Sequence, residues 1–214
     1  MKKAVIFDLD GTLIDSLEDI AINANKVLRQ LNCPTHSLEQ YKHFVGDGAK
    51  VLMQNAMPKY ISKNYLTEAL ELFKSFYEQN LHANTKLYEG VKPLLIELVE
   101  QDIPLAILSN KPDKFTKLYV ETLLPDIPFV VVSGQQESVE KKPHPAGALD
   151  IANKFQIEPK DIYFVGDTAT DMKTAKNANM VAVGVSWGFR TIKELQDNGA
   201  DFIIKKPEEL LVLD

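Results

Sequence analysis

Short apolar runs alternate along most of this chain with segments in which apolar residues recur every three or four positions. An apolar run bounded by turn residues is typical of a buried strand, and the three- to four-residue spacing is typical of an amphipathic helix. The pattern predicts strands at 4–7, 104–108, 129–132, 162–165, 181–185 and 202–204. Strands that alternate with helices predict an α/β fold, with a mainly parallel sheet covered by helices on both faces.

Residues 15–85 differ from the rest because helical spacing replaces the short apolar runs. Helices are predicted at 17–31, 51–56 and 66–80. Ser16 and Asp19 have the spacing of a helix-capping pair at the start of the first of these helices. We expect no strand in this segment. The sequence therefore predicts a helical cap domain at 15–85, inserted into a core formed by 1–14 and 86–214.

The composition narrows the class of protein. The chain has 214 residues, of which 45% are hydrophobic and 25% charged, as in an ordinary globular protein. Its net charge of −6 does not favour nucleic acid or an anionic membrane as a partner. The single cysteine, Cys33, excludes an intrachain disulfide and a cysteine metal cluster. There is no signal-peptide pattern and no stretch of roughly 18 apolar residues, so we expect a cytoplasmic protein.

Two carboxylates, Asp8 and Asp10, end the first apolar run and are followed by Gly11. Alternate residues of an extended chain point the same way, so both acids can face one reaction site. Solvated charges at a strand end are the alternative interpretation. In phosphoryl transfer an aspartate can serve as the nucleophile, while Mg²⁺ neutralises the charge of the phosphate. A second carboxylate can then act as general acid and base.

Three further polar clusters follow predicted strands, at the sheet edge where α/β proteins bind ligands. Ser109 and Asn110 could donate to a phosphate, although turn chemistry is the alternative. Lys142 could place an ammonium near the phosphoryl group, although two adjacent lysines are ordinarily solvated. Asp167 and Asp171, four residues apart, could serve a metal, and an aspartate at a helix start is the alternative.

Together these clusters resemble the four motifs of the haloacid dehalogenase-like hydrolase superfamily, in order. The matching segments are 8–12, 109–110, 142–145 and 166–171. The resemblance covers the whole chain and implies a Rossmann-like core with a helical cap, a Mg²⁺ cofactor and a phosphorylated Asp8 intermediate. It also implies a small phosphate ester as the substrate.

The resemblance further implies a role for each matching residue. Asp8 would be the nucleophile, and Asp10 the general acid and base. Asp8, Asp10 and Asp167 would also hold the metal, Asp10 through its backbone carbonyl. The residues expected to hold the phosphate are Thr12, Ser109, Asn110 and Lys142. Asp171 would act through water or position Lys142. An acid at position 10 also excludes close similarity to the dehalogenases of this superfamily.

The cap and the C-terminal segment look like those of phosphoglycolate phosphatases, on the segments 45–53 and 199–211. Gly48 and Lys50 are then candidate substrate contacts in the cap. We expect Lys50 to meet a substrate carboxylate, the alternative being a solvated helix lysine. The predicted substrate is 2-phosphoglycolate. A β-phosphoglucomutase-like enzyme, an inorganic pyrophosphatase and a non-catalytic binding protein remain alternatives, and both a monomer and a homodimer are open.

Overall fold

The computed structural model describes residues 3–59, 62–80, 83–136 and 139–213. The strands are β1 (Ala4–Phe7), β2 (Ile14–Asp15), β3 (Lys86–Leu87), β4 (Leu105–Pro112), β5 (Val131–Gln135), β6 (Ile162–Gly166), β7 (Val181–Val185) and β8 (Phe202–Ile204). The α-helices are α1 (Leu17–Gln30), α2 (Leu38–Phe44), α3 (Ala49–Ala56), α4 (Lys63–Gln79), α5 (Val91–Glu100), α6 (Asp113–Leu123), α7 (Ala146–Phe155), α8 (Ala169–Asn177) and α9 (Ile192–Asp197).

Six parallel strands form one sheet in the order β5-β4-β1-β6-β7-β8. All four residues of β1 are buried, and they alternate between two apolar clusters. Val5 and Phe7 belong to one cluster, while Ala4 and Ile6 belong to the other. Because alternate residues of a strand face opposite sides, β1 is covered on both faces. The predicted α/β fold with three layers is confirmed.

Helices supply the outer two layers. Leu98 of α5 and Tyr119 of α6 share the cluster that contains Val5. Ile151 of α7 and Met172 of α8 share the opposite cluster. The short helix α9 is not predicted by the sequence pattern, and its Leu195 joins this second cluster. None of the described helices combines the length and apolar character needed to cross a bilayer.

Strands β4 and β5 run further along the chain than the apolar pattern predicts. The prediction ends the second sheet strand at Leu108, whereas β4 extends to Pro112. The reason is pairing with β5, which continues from Leu108 opposite Ser133 to Pro112 opposite Gln135, across an irregularity. Polar residues in this stretch therefore belong to the strand end, because the neighbouring strand pairs with their backbone.

The cap consists of α1 to α4, whose apolar faces join the same cluster as Val5, through residues such as Met53 and Phe73. A two-stranded antiparallel ribbon, β2 with β3, lies where the chain leaves and re-enters the core. The expectation of no strand at 15–85 is therefore wrong at Asp15, because a two-residue strand is too short to leave a pattern. The proposed domain boundary at 14/15 falls within β2 and the one at 85/86 lies directly before β3, and both stay a prediction.

The predicted capping pair at the start of α1 does not form. Ser16 is the N-cap, but its side chain makes no capping hydrogen bond. Its hydroxyl donates instead to Asp10 Oδ1. Asp19 turns toward the segment where the chain passes back from the cap to the core. There its carboxylate accepts from the backbone N–H groups of Asn84 and Thr85. Tertiary partners thus outcompete the local capping arrangement at both residues.

Candidate active site

Asp8 lies at the carboxyl end of the central strand. Its backbone N–H donates to the carbonyl of Val165 at 2.9 Å, which extends the pairing of β1 with β6 by one residue. The residue is 5% exposed. Because β1 lies between β4 and β6, groups that follow these three strands meet at one edge of the sheet. Asp8 is at the centre of that edge.

The ammonium of Lys142 contacts two carboxylates at this edge. Lys142 Nζ lies 2.8 Å from Asp8 Oδ1 and 2.6 Å from Asp171 Oδ1. Although burial alone would lower the pKa of Lys142, the carboxylates of Asp171 and Asp8 raise it above its usual value. The side chain therefore carries a buried positive charge beside Asp8. Of the two adjacent lysines, Lys142 is the one that the structure places in the site.

Asn110 holds the backbone of Lys142 in place. Its Oδ1 accepts from the N–H of Lys142 at 3.0 Å, and its Nδ2 donates to the carbonyl of the same residue at 3.1 Å. This pair of hydrogen bonds joins the end of β4 to the loop before α7. Asn110 thus positions the backbone of Lys142. The sequence pattern does not predict this contact.

Asp167 and Asp171 follow β6 and face the same edge. Asp171 Oδ2 accepts from both the N–H and the hydroxyl of Thr168, within a capping box at the start of α8. Thr168, rather than Asp167, is therefore the N-cap, so the alternative interpretation of Asp167 as a helix cap does not hold. Asp167 Oδ2 accepts from the N–H of Phe189 at 2.8 Å.

The carboxylates at this edge are difficult to ionise together. Burial raises the pKa of Asp8 to about 7, with Lys142 opposing the rise and Asp171 adding to it. Burial, followed by the charges of Asp171 and Asp8, also raises the pKa of Asp167 well above its usual value. Buried like charges repel one another unless a cation compensates them. The arrangement therefore favours binding of a positive ion.

The donor set fits a divalent cation. Carboxylate oxygens of Asp8, Asp167 and Asp171 lie within 4.8 Å of one another. Asp167 Oδ1 is buried and accepts no hydrogen bond from the described residues. Gly11, at φ +84°, has no side chain and so leaves the space beside the Asp167 carboxylate free. A Cβ on Gly11 would lie 2.2 Å from Asp167 Oδ2. Hard oxygen donors of this kind suit Mg²⁺.

Asp10 lies on the side of the site toward the cap. Its carboxylate accepts from the hydroxyl of Ser16 and from the ammonium of Lys111, which lies 2.9 Å from Oδ1 and 3.2 Å from Oδ2. The carboxylate thus has partners outside the cluster of Asp8 and Asp167. The side chain of Asp10 is therefore held by Ser16 and Lys111, apart from the carboxylates of Asp8, Asp167 and Asp171.

A pocket of about 50 Å³ lies between Asp8 and the cap. Ser109, Asn110 and Gly48 line it, whereas Lys50 is exposed and does not. Thr12 is buried, and its hydroxyl has no hydrogen-bond partner in the described part of the chain. The structure therefore brings Ser109, Asn110 and Gly48 to the pocket beside Asp8, whereas Lys50 lies outside it and Thr12 is buried without lining it.

The loop at 45–48, here called the cap loop, is joined to the core by four hydrogen bonds. Its acceptors are the carbonyls of Val45, Gly46 and Asp47 and the carboxylate of Asp47. The donors are Arg190, Asn110, Lys141 and Thr170. The cap therefore lies closed over the pocket in this structure.

Two residues that contact Asp10 or its partner are absent from the sequence prediction. Lys111 is buried at the end of β4, and Tyr77 reaches it from α4 of the cap, with its hydroxyl 2.8 Å from Lys111 Nζ. The position of Lys111, two residues beyond Ser109, is a signal that could have identified it. Tyr77 carries no such signal, because 34 residues separate it from Lys111.

Comparison with known proteins agrees with this geometry. Residues 5–185 match the family model described as haloacid dehalogenase-like hydrolase. A phosphoglycolate phosphatase of Vibrio parahaemolyticus is 34% identical over 98% of this chain and 94% of its own length. The corresponding enzyme of Colwellia psychrerythraea is 32% identical over 99% and 96%.

A solved structure from Haemophilus somnus, described as a predicted phosphoglycolate phosphatase, gives the same result. It has a TM-score of 0.91 and 32% identity, and the match covers 98% of this chain and 96% of that one. The resemblance inferred from the four motifs is confirmed. The chain therefore belongs to the haloacid dehalogenase-like hydrolase family, among the phosphatases that resemble phosphoglycolate phosphatase.

Proposed function

We propose that this protein is a Mg²⁺-dependent phosphatase of a small phosphate ester, best matched by 2-phosphoglycolate, and that it acts through an aspartyl-phosphate on Asp8. One observation carries the proposal. A buried nucleophile candidate, Asp8, has an ammonium 2.8 Å away and a carboxylate cluster beside it at the end of the central strand. The names of the similar phosphatases support the choice of substrate.

In the first half of the reaction, an Oδ atom of Asp8 attacks the phosphorus, and the bond between phosphorus and the ester oxygen breaks. Asp10 gives its proton to the departing alkoxide. Lys142 holds Asp8 in position and places positive charge beside the phosphoryl oxygens as they approach. Asp171 keeps the ammonium in place, since its two oxygens are held by Lys142 and Thr168.

In the second half, water attacks the phosphorus of the aspartyl-phosphate. Asp10, now ionised, takes a proton from this water, and the bond between phosphorus and the Asp8 oxygen breaks to release inorganic phosphate. Asp8 and Asp10 are both restored. Ser109 lines the pocket beside them, which supports a role in holding a phosphate oxygen.

Asp8 and Asp167, with the backbone carbonyl of Asp10, would hold Mg²⁺. Bound there, the ion would neutralise the negative charge shared by the phosphate and the attacking carboxylate. The partnerless oxygen of Asp167 and the raised pKa values of Asp8 and Asp167 support this assignment.

The lining of the pocket favours a small leaving group. Apolar side chains of the cap and the core, among them Leu52, Phe73 and Phe115, form much of its wall. The several hydroxyl groups of a hexose would be left without partners against these side chains, so the lining supports a phosphatase of short esters over a hexose phosphomutase.

Phosphate release from 2-phosphoglycolate, hexose phosphates, nucleotides and pyrophosphate tests the proposal. With Mg²⁺, 2-phosphoglycolate should be hydrolysed with the highest kcat/KM, and chelation of the metal should abolish the activity. Interconversion of hexose phosphates without net phosphate release would instead indicate a mutase. Absence of phosphate release from every ester would contradict the proposal.

The Asp8→Asn substitution tests the nucleophile in the same assay. We expect kcat to fall by about 10⁴-fold or more, as for loss of a nucleophile in other enzymes. Asp126→Asn, at an exposed aspartate far from the site, is the matched control and should retain wild-type activity. Full Mg²⁺-dependent activity in Asp8→Asn would overturn the mechanism.

A further inference from the structure

Lys111 is a buried cation beside the group that handles protons. Its side chain is 4% exposed, and its ammonium donates to the carboxylate of Asp10 and to the hydroxyl of Tyr77. The ammonium also lies 4.7 Å and 4.8 Å from the ring centres of Tyr77 and Tyr119. Lysine is almost never fully buried unless it is paired, and Asp10 supplies the paired charge here.

Lys111 also lines the pocket, together with apolar side chains from both sides, among them Leu52 and Phe73 of the cap and Phe115 of the core. The other ammonium of the site, Lys142, pairs with Asp8 and Asp171 and does not line the pocket. Lys111 is therefore the cation that faces the leaving-group side of the described pocket, among apolar side chains, the carboxylate of Asp10 and the hydroxyl of Tyr77.

An acidic leaving group needs such a cation. Asp8 and Asp10 both line the pocket, and they would repel a second negative charge on the substrate. An ammonium in an apolar enclosure attracts a carboxylate more strongly than it does in water. Lys50, the residue expected from the sequence to make this contact, is exposed and outside the pocket. The geometry favours Lys111 in its place.

The distance to the reacting atoms restricts the position of the carboxylate. Asp10 must approach the ester oxygen within about 2.8 Å to give it a proton. Lys111 Nζ lies 2.9 Å from Asp10 Oδ1, so it is close to the same oxygen. In the phosphate ester of a 2-hydroxy acid, one carbon separates the ester oxygen from the carboxyl group, which places the carboxylate oxygens roughly 2.7 to 3.6 Å from it.

We propose that Lys111 determines specificity, by pairing its ammonium with a carboxylate one carbon from the ester oxygen. The substrate class is the phosphate esters of short 2-hydroxy acids. This inference rests on the proposed phosphatase function of the same site and adds to it the residue that selects the substrate. The bound carboxylate shares the donors of Lys111 with Asp10 and Tyr77.

The test compares two substrates that differ only in the recognised group. Ethyl phosphate carries a methyl group where 2-phosphoglycolate carries its carboxylate. Wild-type enzyme with saturating Mg²⁺ should hydrolyse 2-phosphoglycolate with a kcat/KM about 10² higher, since a hydrogen bond between charged groups contributes about this much. Equal kcat/KM for the two esters overturns the inference while leaving a phosphatase. Phosphate release from neither ester overturns the proposed function as well.

Substitution of Lys111 separates recognition from positioning of Asp10. In Lys111→Met, kcat/KM for 2-phosphoglycolate should fall about 10- to 100-fold more than that for ethyl phosphate. Lys111→Arg keeps the charge and should recover part of this selectivity. An equal loss on both substrates would show that Lys111 only positions Asp10, and this outcome overturns the inference.

Two further lysines complete the design. Lys74→Met, at an exposed cap lysine paired with Glu71, is the matched control and should change neither substrate. Lys50→Met tests the competing assignment. A selective loss of 2-phosphoglycolate activity in Lys50→Met, without one in Lys111→Met, overturns the role of Lys111. If Lys111→Met does not fold, equal kcat/KM for the two esters in the wild type would still overturn the inference, and Lys111→Arg and Lys50→Met still test which lysine is responsible.

Discussion

The two ends of the candidate site are built in different ways. At the phosphate end, Asp8 and Asp167 directly follow strands of the sheet, and the backbone of Lys142 is held by Asn110 of a third strand. At the leaving-group end, the cap and the core meet through side chains such as Tyr77 and Lys111. The first end is formed by the core alone, whereas the second combines Asp10 and Lys111 of the core with Tyr77 of the cap. Chemistry and selectivity should therefore respond separately to mutation.

The largest fall in kcat is expected from neutralising a carboxylate of the metal cluster at the phosphate end. Asp167→Asn removes a carboxylate charge while keeping an oxygen that can accept from the N–H of Phe189. We expect kcat to fall by about 10³-fold for every substrate, because charge neutralisation at the phosphate contributes several kcal/mol. Steady-state phosphate release with 2-phosphoglycolate and with ethyl phosphate measures both the loss and its uniformity.

Thermal unfolding supplies a readout of the same variant that does not depend on activity. At 100 times its Kd, Mg²⁺ should stabilise the wild type by about 2.7 kcal/mol, or roughly 5 to 10 °C in Tm. Asp167→Asn should lose this shift. Without metal at neutral pH the variant should unfold at or above the wild-type Tm, since the raised pKa of Asp167 shows that its ionised form is disfavoured in the fold. A wild-type Mg²⁺ shift in the variant would contradict the metal assignment, and Asp150→Asn is an exposed control.

Weakening the contact between the cap loop and the core should affect the leaving-group end, with an intermediate effect. Thr170→Val removes the hydroxyl that donates to Asp47 Oδ1 at 2.7 Å and keeps the shape of the side chain. Loss of one such hydrogen bond is expected to raise KM for 2-phosphoglycolate about 3- to 10-fold, with little change in kcat. Michaelis–Menten kinetics separates the two parameters.

A matched substitution controls for the loss of a threonine hydroxyl. Thr122 lies on the exposed face of α6 and donates only to the carbonyl of Leu118 among the contacts described. Thr122→Val should leave both kinetic parameters at their wild-type values. A fall in kcat without a change in KM for Thr170→Val would show that the cap loop serves the chemistry, and the separation of the two ends would then be wrong.

The difference between the two ends of the site also explains which site residues could be predicted from the sequence. At the phosphate end, Asp8 and Asp167 each follow an apolar run, so a local pattern is enough to identify them. The order of the sheet strands then brings them together, because parallel strands share one carboxyl edge. The fold and the core site residues were accessible for this reason. Their chemical roles stay a prediction until they are tested.

The leaving-group end was not accessible in this way, because its contacts join distant parts of the chain. Lys50 and Lys111 are both lysines close to a predicted helix or strand, and only the packing of the cap shows that one is exposed and the other buried. Asp10 and Lys111 are 101 positions apart. Ser16 likewise had a plausible local role as a cap, but Asp10 provides a stronger partner in the folded chain.

The smallest effect on activity is expected where the chain passes back from the cap to the core at Asn84 and Thr85. This crossing reaches the leaving-group end only indirectly, through Tyr119, whose hydroxyl lies 3.3 Å from that of Thr85. Asp19 is 2% exposed, and its Oδ2 accepts from the N–H of Thr85 at 2.9 Å and from its hydroxyl at 2.6 Å. Asp19→Ala leaves these donors buried and unpaired, so the free energy of unfolding should fall by about 2 to 4 kcal/mol. Urea denaturation measures this loss.

The kcat of the folded Asp19→Ala enzyme at 25 °C should remain within about twofold of the wild-type value, because the molecules that stay folded keep the same active site. Glu18→Ala, at the exposed neighbouring position, should change stability by less than about 0.5 kcal/mol. A large fall in kcat with unchanged stability would place Asp19 in the control of catalysis. That result would mean that the chain crossing at Asn84 and Thr85 transmits the position of the cap to Asp10, and the two ends of the site would no longer be separable.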